Sequence, residues 1–164
     1  MPLGASRAGL MSVAADDIPD TVVSRPDDDS SNTTDLQNGV RIESDVVWED
    51  EIGLRISANT DNATRAYVFR VSDGELIGES DISDLSAGDA FAVSLNDLIG
   101  DDDEEYNCVL DAEGNDYTSG NFSDSTYPYE SDDGNLRIIN AARGADDTIP
   151  NAANIVEVGN VGLD

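Results

Sequence analysis

The chain has 164 residues, enough for one domain with an appendage, and 38% of them are hydrophobic, which suits one modest core rather than two. Asp and Glu number 36 against 8 basic residues, all of them Arg, so the formal net charge is -28, with no His present. A surface that acidic repels nucleic-acid phosphates and anionic membrane headgroups, and a chain without His or Lys has few routes to catalysis.

Residues 1–39 are expected to be an extended N-terminal attachment arm and acidic linker. The opening residues 1–15 are apolar and small, but Arg7 and Gly9 interrupt them, so neither a signal peptide nor a membrane anchor is expected. A short turn of helix near 7–14 is the only regular structure expected there, followed by the acidic Ser/Thr-rich run 25–34 (RPDDDSSNTT). An isolated segment of this kind is floppy, so contacts with other chains are expected to hold it through Leu3, Leu10, Met11, Val13, Ile18, Val22 and Val23.

From residue 40 to 164 the pattern becomes short apolar runs separated by Gly, Asn and Asp. Strands are expected at 40–48, 54–58, 65–71, 76–78, 90–95, 106–112, 136–140 and 154–158, which together predict an all-β domain, an antiparallel β-sandwich of Ig-like or jelly-roll-like type. In the second of these, Leu54, Ile56 and Ala58 share one face while Arg55 and Ser57 point to water. In the third, Tyr67, Phe69 and Val71 lie on one face and Ala66, Val68 and Arg70 on the other, the pattern of a central strand. Asp73-Gly74 then supplies the positive-φ positions of a hairpin turn. Trp48 is expected to close one end of the core. Cys108 is the single cysteine, inside an apolar run, and is expected to be a buried thiol.

Candidate chemistry is sparse. Carboxylate pairs fall at any spacing by chance in so acidic a chain, so no enzyme activity is expected. No cofactor is required, although calcium or other hydrated cations would find oxygen ligands in Asp111, Glu113, Asn115 and Asp116, whose spacing is not that of an EF-hand loop. Glycosylation sequons stand at Asn32, Asn62 and Asn121. The aromatic group Tyr117, Phe122, Tyr127 and Tyr129 reads either as a plug sealing the fold, as an inter-chain contact, or as a stacking surface for glycan or partner.

The charge also identifies the solvent. At low salt the self-repulsion of this chain loosens a small domain, whereas at about 1 M salt the Debye length falls to roughly 3 Å and neighbouring carboxylates scarcely interact. Carboxylates hold water and hydrated cations better than ammonium-tipped side chains do. Absence of Lys together with abundant Asp therefore points to concentrated brine.

Ser6-Arg-Ala-Gly-Leu10, Ile18-Pro-Asp-x-Val-Val-Ser-Arg25, Ile56-Ser-Ala-Asn-Thr60, Thr64-Arg-Ala-Tyr67 and the run 81–89 (DISDLSAGD) resemble tail, fibre and other structural proteins of haloarchaeal tailed viruses. Leu110-Asp-Ala-Glu-Gly114, Tyr117-Thr118, Tyr127-Pro-Tyr129 and the stretch 154–162 continue the likeness over nearly the whole chain. The resemblance implies a virion structural protein on the particle exterior, at the tail, baseplate or capsid surface, with other virion proteins and copies of itself as partners. A host-surface or glycan-binding fibre or turret module, and a haloarchaeal cell-surface structural protein, are the alternative readings. The family offers no motif that assigns functional residues.

Overall fold

A computed structural model of the chain describes residues 22–24, 31–33, 38–56, 63–86, 88–100, 103–111, 116–118, 127–145 and 158–162. Every regular element among them is a strand. In chain order these are β1 (Val22–Ser24), β2 (Ser31–Thr33), β3 (Asn38–Ser44), β4 (Glu51–Ile56), β5 (Arg65–Arg70) and β6 (Leu76–Asp81). They continue with β7 (Ala90–Leu95), β8 (Glu105–Asp111), β9 (Asp116–Thr118), β10 (Tyr129–Glu130), β11 (Leu136–Arg143) and β12 (Val158–Gly162).

Ten of these strands form one sheet in the order β1-β12-β4-β7-β6-β5-β8-β3-β11-β10, and β2 pairs with β9 in a small second ladder. All pairings are antiparallel. The two edge strands come back toward each other, since β1 also touches β10 and β11, so the sheet is nearly closed. Near-closure removes most of the exposed edge that an open sheet of this size carries.

Alternation explains which residues line the interior. Ile52, Leu54 and Ile56 of β4, Ala66 and Val68 of β5, Cys108 and Leu110 of β8, and Val40 and Ile42 of β3 are all at most 2% exposed and form one cluster. Leu136 and Ile138 of β11 complete it, and Val23 and Val161 seal the edge. Trp48 closes one end, as expected. The loop 45–50 crosses that end, Trp48 exchanges backbone hydrogen bonds with Ile99 at 2.9 and 3.1 Å, and its indole N–H donates to Ser44 Oγ at 2.8 Å. The two loops approach so closely that a Cβ at Gly100, where φ is +87, would fall 1.9 Å from the Val46 carbonyl oxygen. Only glycine fits there.

The described strands correct the sequence reading at several points. β3 stops at Ser44 rather than running to 48, because the chain must turn there to lay Trp48 across the end. β6 and β11 run three residues further than expected, and the latter carries a bulge between Ile138 and Asn140. Of the strand expected at 154–158 only Val158 falls among the described residues, where it opens β12, which runs on to Gly162. Arg55, expected to point to water, is half-buried with its Nε enclosed. Two short strands fall inside the expected arm: β1 pairs with β12 and β2 with β9. Val23 is fully buried in the core of its own chain, so its expected contact with another chain is replaced by an internal one; Val22 is half-buried. Leu3, Leu10, Met11, Val13 and Ile18, together with the expected helical turn, lie outside the described residues.

Candidate functional site

Three arginines tie the chain's carboxylates together, two at the surface and one buried. Arg137, at the start of β11, donates from both terminal nitrogens to Asp45 at 2.8 and 2.9 Å, and from Nε to Glu43 at 3.3 Å. The arginine holds the Asp45 carboxyl below its ordinary range, and the carboxylates raise the Arg137 pKa in return. A bidentate pair of this kind fixes geometry as well as charge, here tying the loop after β3 to β11.

Arg70 sits at the end of β5 and gathers three carboxylates: Asp73 at 3.0 Å, Asp97 at 2.9 Å, and Glu75. Its partners come from the β5–β6 turn and from the loop after β7, so one guanidinium ties two loops together. A turn forms here as expected, but of the expected positive-φ pair only Gly74, at φ +72, adopts that conformation and Asp73 does not; the Gly74 N–H donates to the Arg70 carbonyl at 2.9 Å. Arg70 lowers the pKa of Asp73, while Asp97 is lowered first by the Leu98 backbone N–H and then by Arg70. Around this group opens a cleft of about 400 Å³, lined by Arg70, Asp73, Asp97, Leu98, Glu104 and Tyr106 among others. With Arg70 already saturated by acids, the cleft has no spare positive charge for an anion.

The third arginine is different because it is buried. Arg41 of β3 is 8% exposed; it donates from Nε to Asn107 Oδ1 at 3.0 Å and from a terminal nitrogen to Glu105 at 3.1 Å. Asn107, fully buried, passes its amide N–H to the Gly144 carbonyl at 3.0 Å. A Cβ placed on Gly74 would lie 3.6 Å from the Ala145 Cβ, so Ala145 stands over that turn. The segment after β11 therefore folds back over the outer face of β8 and meets the β5–β6 turn. This buried polar relay was not read from the sequence. The only signal was Asn107 standing among Tyr106, Cys108, Val109 and Leu110.

The expected site residues are dispersed. Asp111 is half-buried, and its carbonyl accepts from the Thr64 N–H at 2.8 Å and the Thr64 hydroxyl at 3.2 Å. Asp116 opens β9 opposite Thr33, while Glu113 and Asn115 lie outside the described residues. Among the described residues no group of three potential ligands converges on a metal position. Tyr127 and Tyr129 do come together, edge to face with centroids 5.5 Å apart and planes at 86°, both half-buried against the core. Edge-to-face geometry of this kind adds to the packing of the rings against the core. Tyr117 pairs with Asn32 across the β2–β9 ladder, which also places that sequon in a strand. Asn62, Asn121 and Phe122 lie outside the described residues.

Cys108 has no solvent access, and burial pushes its thiol pKa up to about 12, so it is no nucleophile. Fold and site together define an all-β antiparallel protein whose polar exterior is held by carboxylate–guanidinium ties. No protein-family model matches the chain, and neither a curated protein nor a solved structure matches it.

Proposed function

We propose that this chain is a non-enzymatic virion structural protein of a haloarchaeal virus, attached through the N-terminal arm ahead of β1 to the tail, baseplate or capsid exterior. In this reading the nearly closed sheet is a flattened sandwich, and it presents an acidic, salt-adapted surface. The observation that carries the proposal is the charge pattern: a net charge of -28 without a single Lys, with Arg41, Arg70 and Arg137 all engaged by carboxylates of the same chain. The likeness of the turn and strand-end sequences to haloarchaeal viral structural proteins supports the same assignment.

Salt is the first test. Moving the protein from about 3 M KCl to dilute buffer removes the screening that lets the carboxylates crowd together, and unfolding is expected. Cys108 reports it: the thiol should resist an aromatic disulfide reagent in brine and react fully after dilution. A protein equally protected in both solvents would overturn the halophile assignment. Proteomics of purified particles from a producing haloarchaeal culture tests location, and recovery in the cell envelope alone would favour the cell-surface reading.

A further inference from the structure

The ten-stranded sheet is not bonded equally along its circuit. β5 and β8 pair without a break from Arg65 to Arg70, whereas β6 and β7 pair only at Gly78 with Leu95 and at Glu79 with Ser94. The next residue of β6, Ser80, reaches β7 through its side chain: the hydroxyl donates to the Ala92 carbonyl at 3.2 Å and accepts the Ser94 N–H at 3.3 Å. Beyond Ser80 the two strands part. Asp81 pairs with Arg65, and the Ile82 N–H donates to the Thr64 carbonyl at 3.0 Å, so the end of β6 follows β5. Ala90 pairs with Arg55, the Ile56 N–H donates to the Asp89 carbonyl at 2.9 Å and the Gly88 N–H to the Ile56 carbonyl at 3.0 Å, so the start of β7 follows β4.

On the other side of the circuit, among the described residues, β1 touches β10 but pairs with β12 alone. The sheet thus consists of two groups of strands, β1-β12-β4-β7 and β6-β5-β8-β3-β11-β10. The bonds that join the groups gather toward the Trp48 end. At Gly78 the strands come so close that a Cβ would fall 2.9 Å from both Leu95 Cδ2 and the Ser94 carbonyl oxygen. The Asn96 N–H donates to the Ile77 carbonyl at 2.7 Å, Arg70 reaches Asp97 at 2.9 Å, and Trp48 and Ile99 lock two loops that cross from one group to the other. At the opposite end the described backbone bonds of Ile56, Thr64, Ile82 and Gly88 each stay within one group. Apolar packing of Ile56, Ile82, Leu85 and Phe91 fills that end of the core.

We propose that the two strand groups form a hinge, with its fulcrum at Gly78 and the Trp48–Ile99 crossing and its mouth at the opposite end, over Ile82. Ser80 is the bolt, the last polar link before the mouth. Opening there separates apolar surfaces and one hydroxyl's bonds while each group keeps its own ladders, so it is a local event and not an unfolding of the sheet. The hinge rests on strand pairing alone and stands whether or not the chain is viral.

Matched thiol reporters test it. Ile82→Cys places a thiol at the mouth and Ile99→Cys places one at the fulcrum, both at buried isoleucine positions, with Cys108 as the internal control. In about 3 M KCl the thiol at position 82 should react with an aromatic disulfide reagent at least about tenfold faster than the one at 99 or Cys108. Adding Ser80→Ala should raise the rate at 82 further, by about threefold or more, and leave Cys108 unchanged. Equal rates at 82, 99 and 108, or a faster reaction at 99, would overturn the hinge; a rate at 82 indifferent to Ser80→Ala would remove the bolt. Should Ile82→Cys expose Cys108, amide exchange in the unaltered protein decides instead. The Ser94 N–H, held by Ser80, should then exchange at least about tenfold faster than the Ile99 N–H, held by Trp48, and equal protection would overturn the inference.

Discussion

β7 and β8 are both interior strands of the same sheet, but only β8 is buried on both faces. Along β7 the exposure alternates: Ala90, Ala92 and Ser94 are open to solvent, while Phe91, Val93 and Leu95 turn inward. Along β8 five consecutive residues, Tyr106 to Leu110, are buried. The difference lies outside both strands. Gly144 and Ala145 fold over the outer face of β8, anchored by Asn107, and on neighbouring β5 the half-buried Tyr67 and Phe69, which pair with Val109 and Asn107, bring their ring centroids to 5.9 Å. On the same face the absence of a side chain at Gly39 matters, because a Cβ there would fall 1.9 Å from the Cys108 carbonyl oxygen. An antiparallel sheet with one solvated face needs only alternation; a strand covered on both sides needs a distant segment to cover it.

Asn107→Ala leaves the Arg41 Nε and the Gly144 carbonyl without their partner inside a buried relay, and each such loss costs about 1–3 kcal/mol. A destabilisation of about 2–4 kcal/mol is expected from urea unfolding in molar KCl. A change below about 0.5 kcal/mol would mean that the cover over β8 is not held by this contact.

A smaller contrast comes from the outward positions themselves. Val109→Ala should cost about 1–2 kcal/mol because it empties a fully buried site, whereas Ala92→Ser on the open face of β7 should change stability by less than about 0.5 kcal/mol. Equal effects at the two positions would erase the distinction between the strands.

Acid gives the smallest effect and sharpens the comparison by acting on the loops rather than on either strand. Asp45, Asp73 and Asp97 all have lowered pKa values in the folded chain. Their contribution is therefore present above the unfolded carboxylate pKa of about 3.9 and is lost as pH falls through the lower folded values. In molar salt the urea midpoint should be level down to about pH 5 and decline below about pH 4. Arg70→Gln should flatten that decline, and an unchanged curve would show that the ties around Arg70 add nothing.

β7 was legible to the residue because its alternation is the whole of its environment. The hairpin at Asp73-Gly74 and the enclosure of Trp48 were legible for similar local reasons. β1, β2, β9 and β10 are two or three residues long, too short for any period to register, and owe their pairing to partners far along the chain. The arginine ties were invisible for the same reason: Arg137 meets Asp45 across 92 positions, and Arg41 meets Asn107 across 66. Calcium ligands spaced along 111–116 looked adjacent in sequence, yet of the four only Asp111 and Asp116 fall among the described residues, and Asp116 belongs to a strand paired with β2.

Trp48 is the only tryptophan in the chain, and it is 1% exposed with its indole N–H bonded to Ser44. The molecule consequently carries a single-site optical gauge at the end where its loops cross. Its emission should stay blue as long as that end is shut and should shift to the red only when the crossing loop lifts. Tyrosine light from the remainder of the sheet, read in the same cuvette, would show whether this end opens before the rest or together with it.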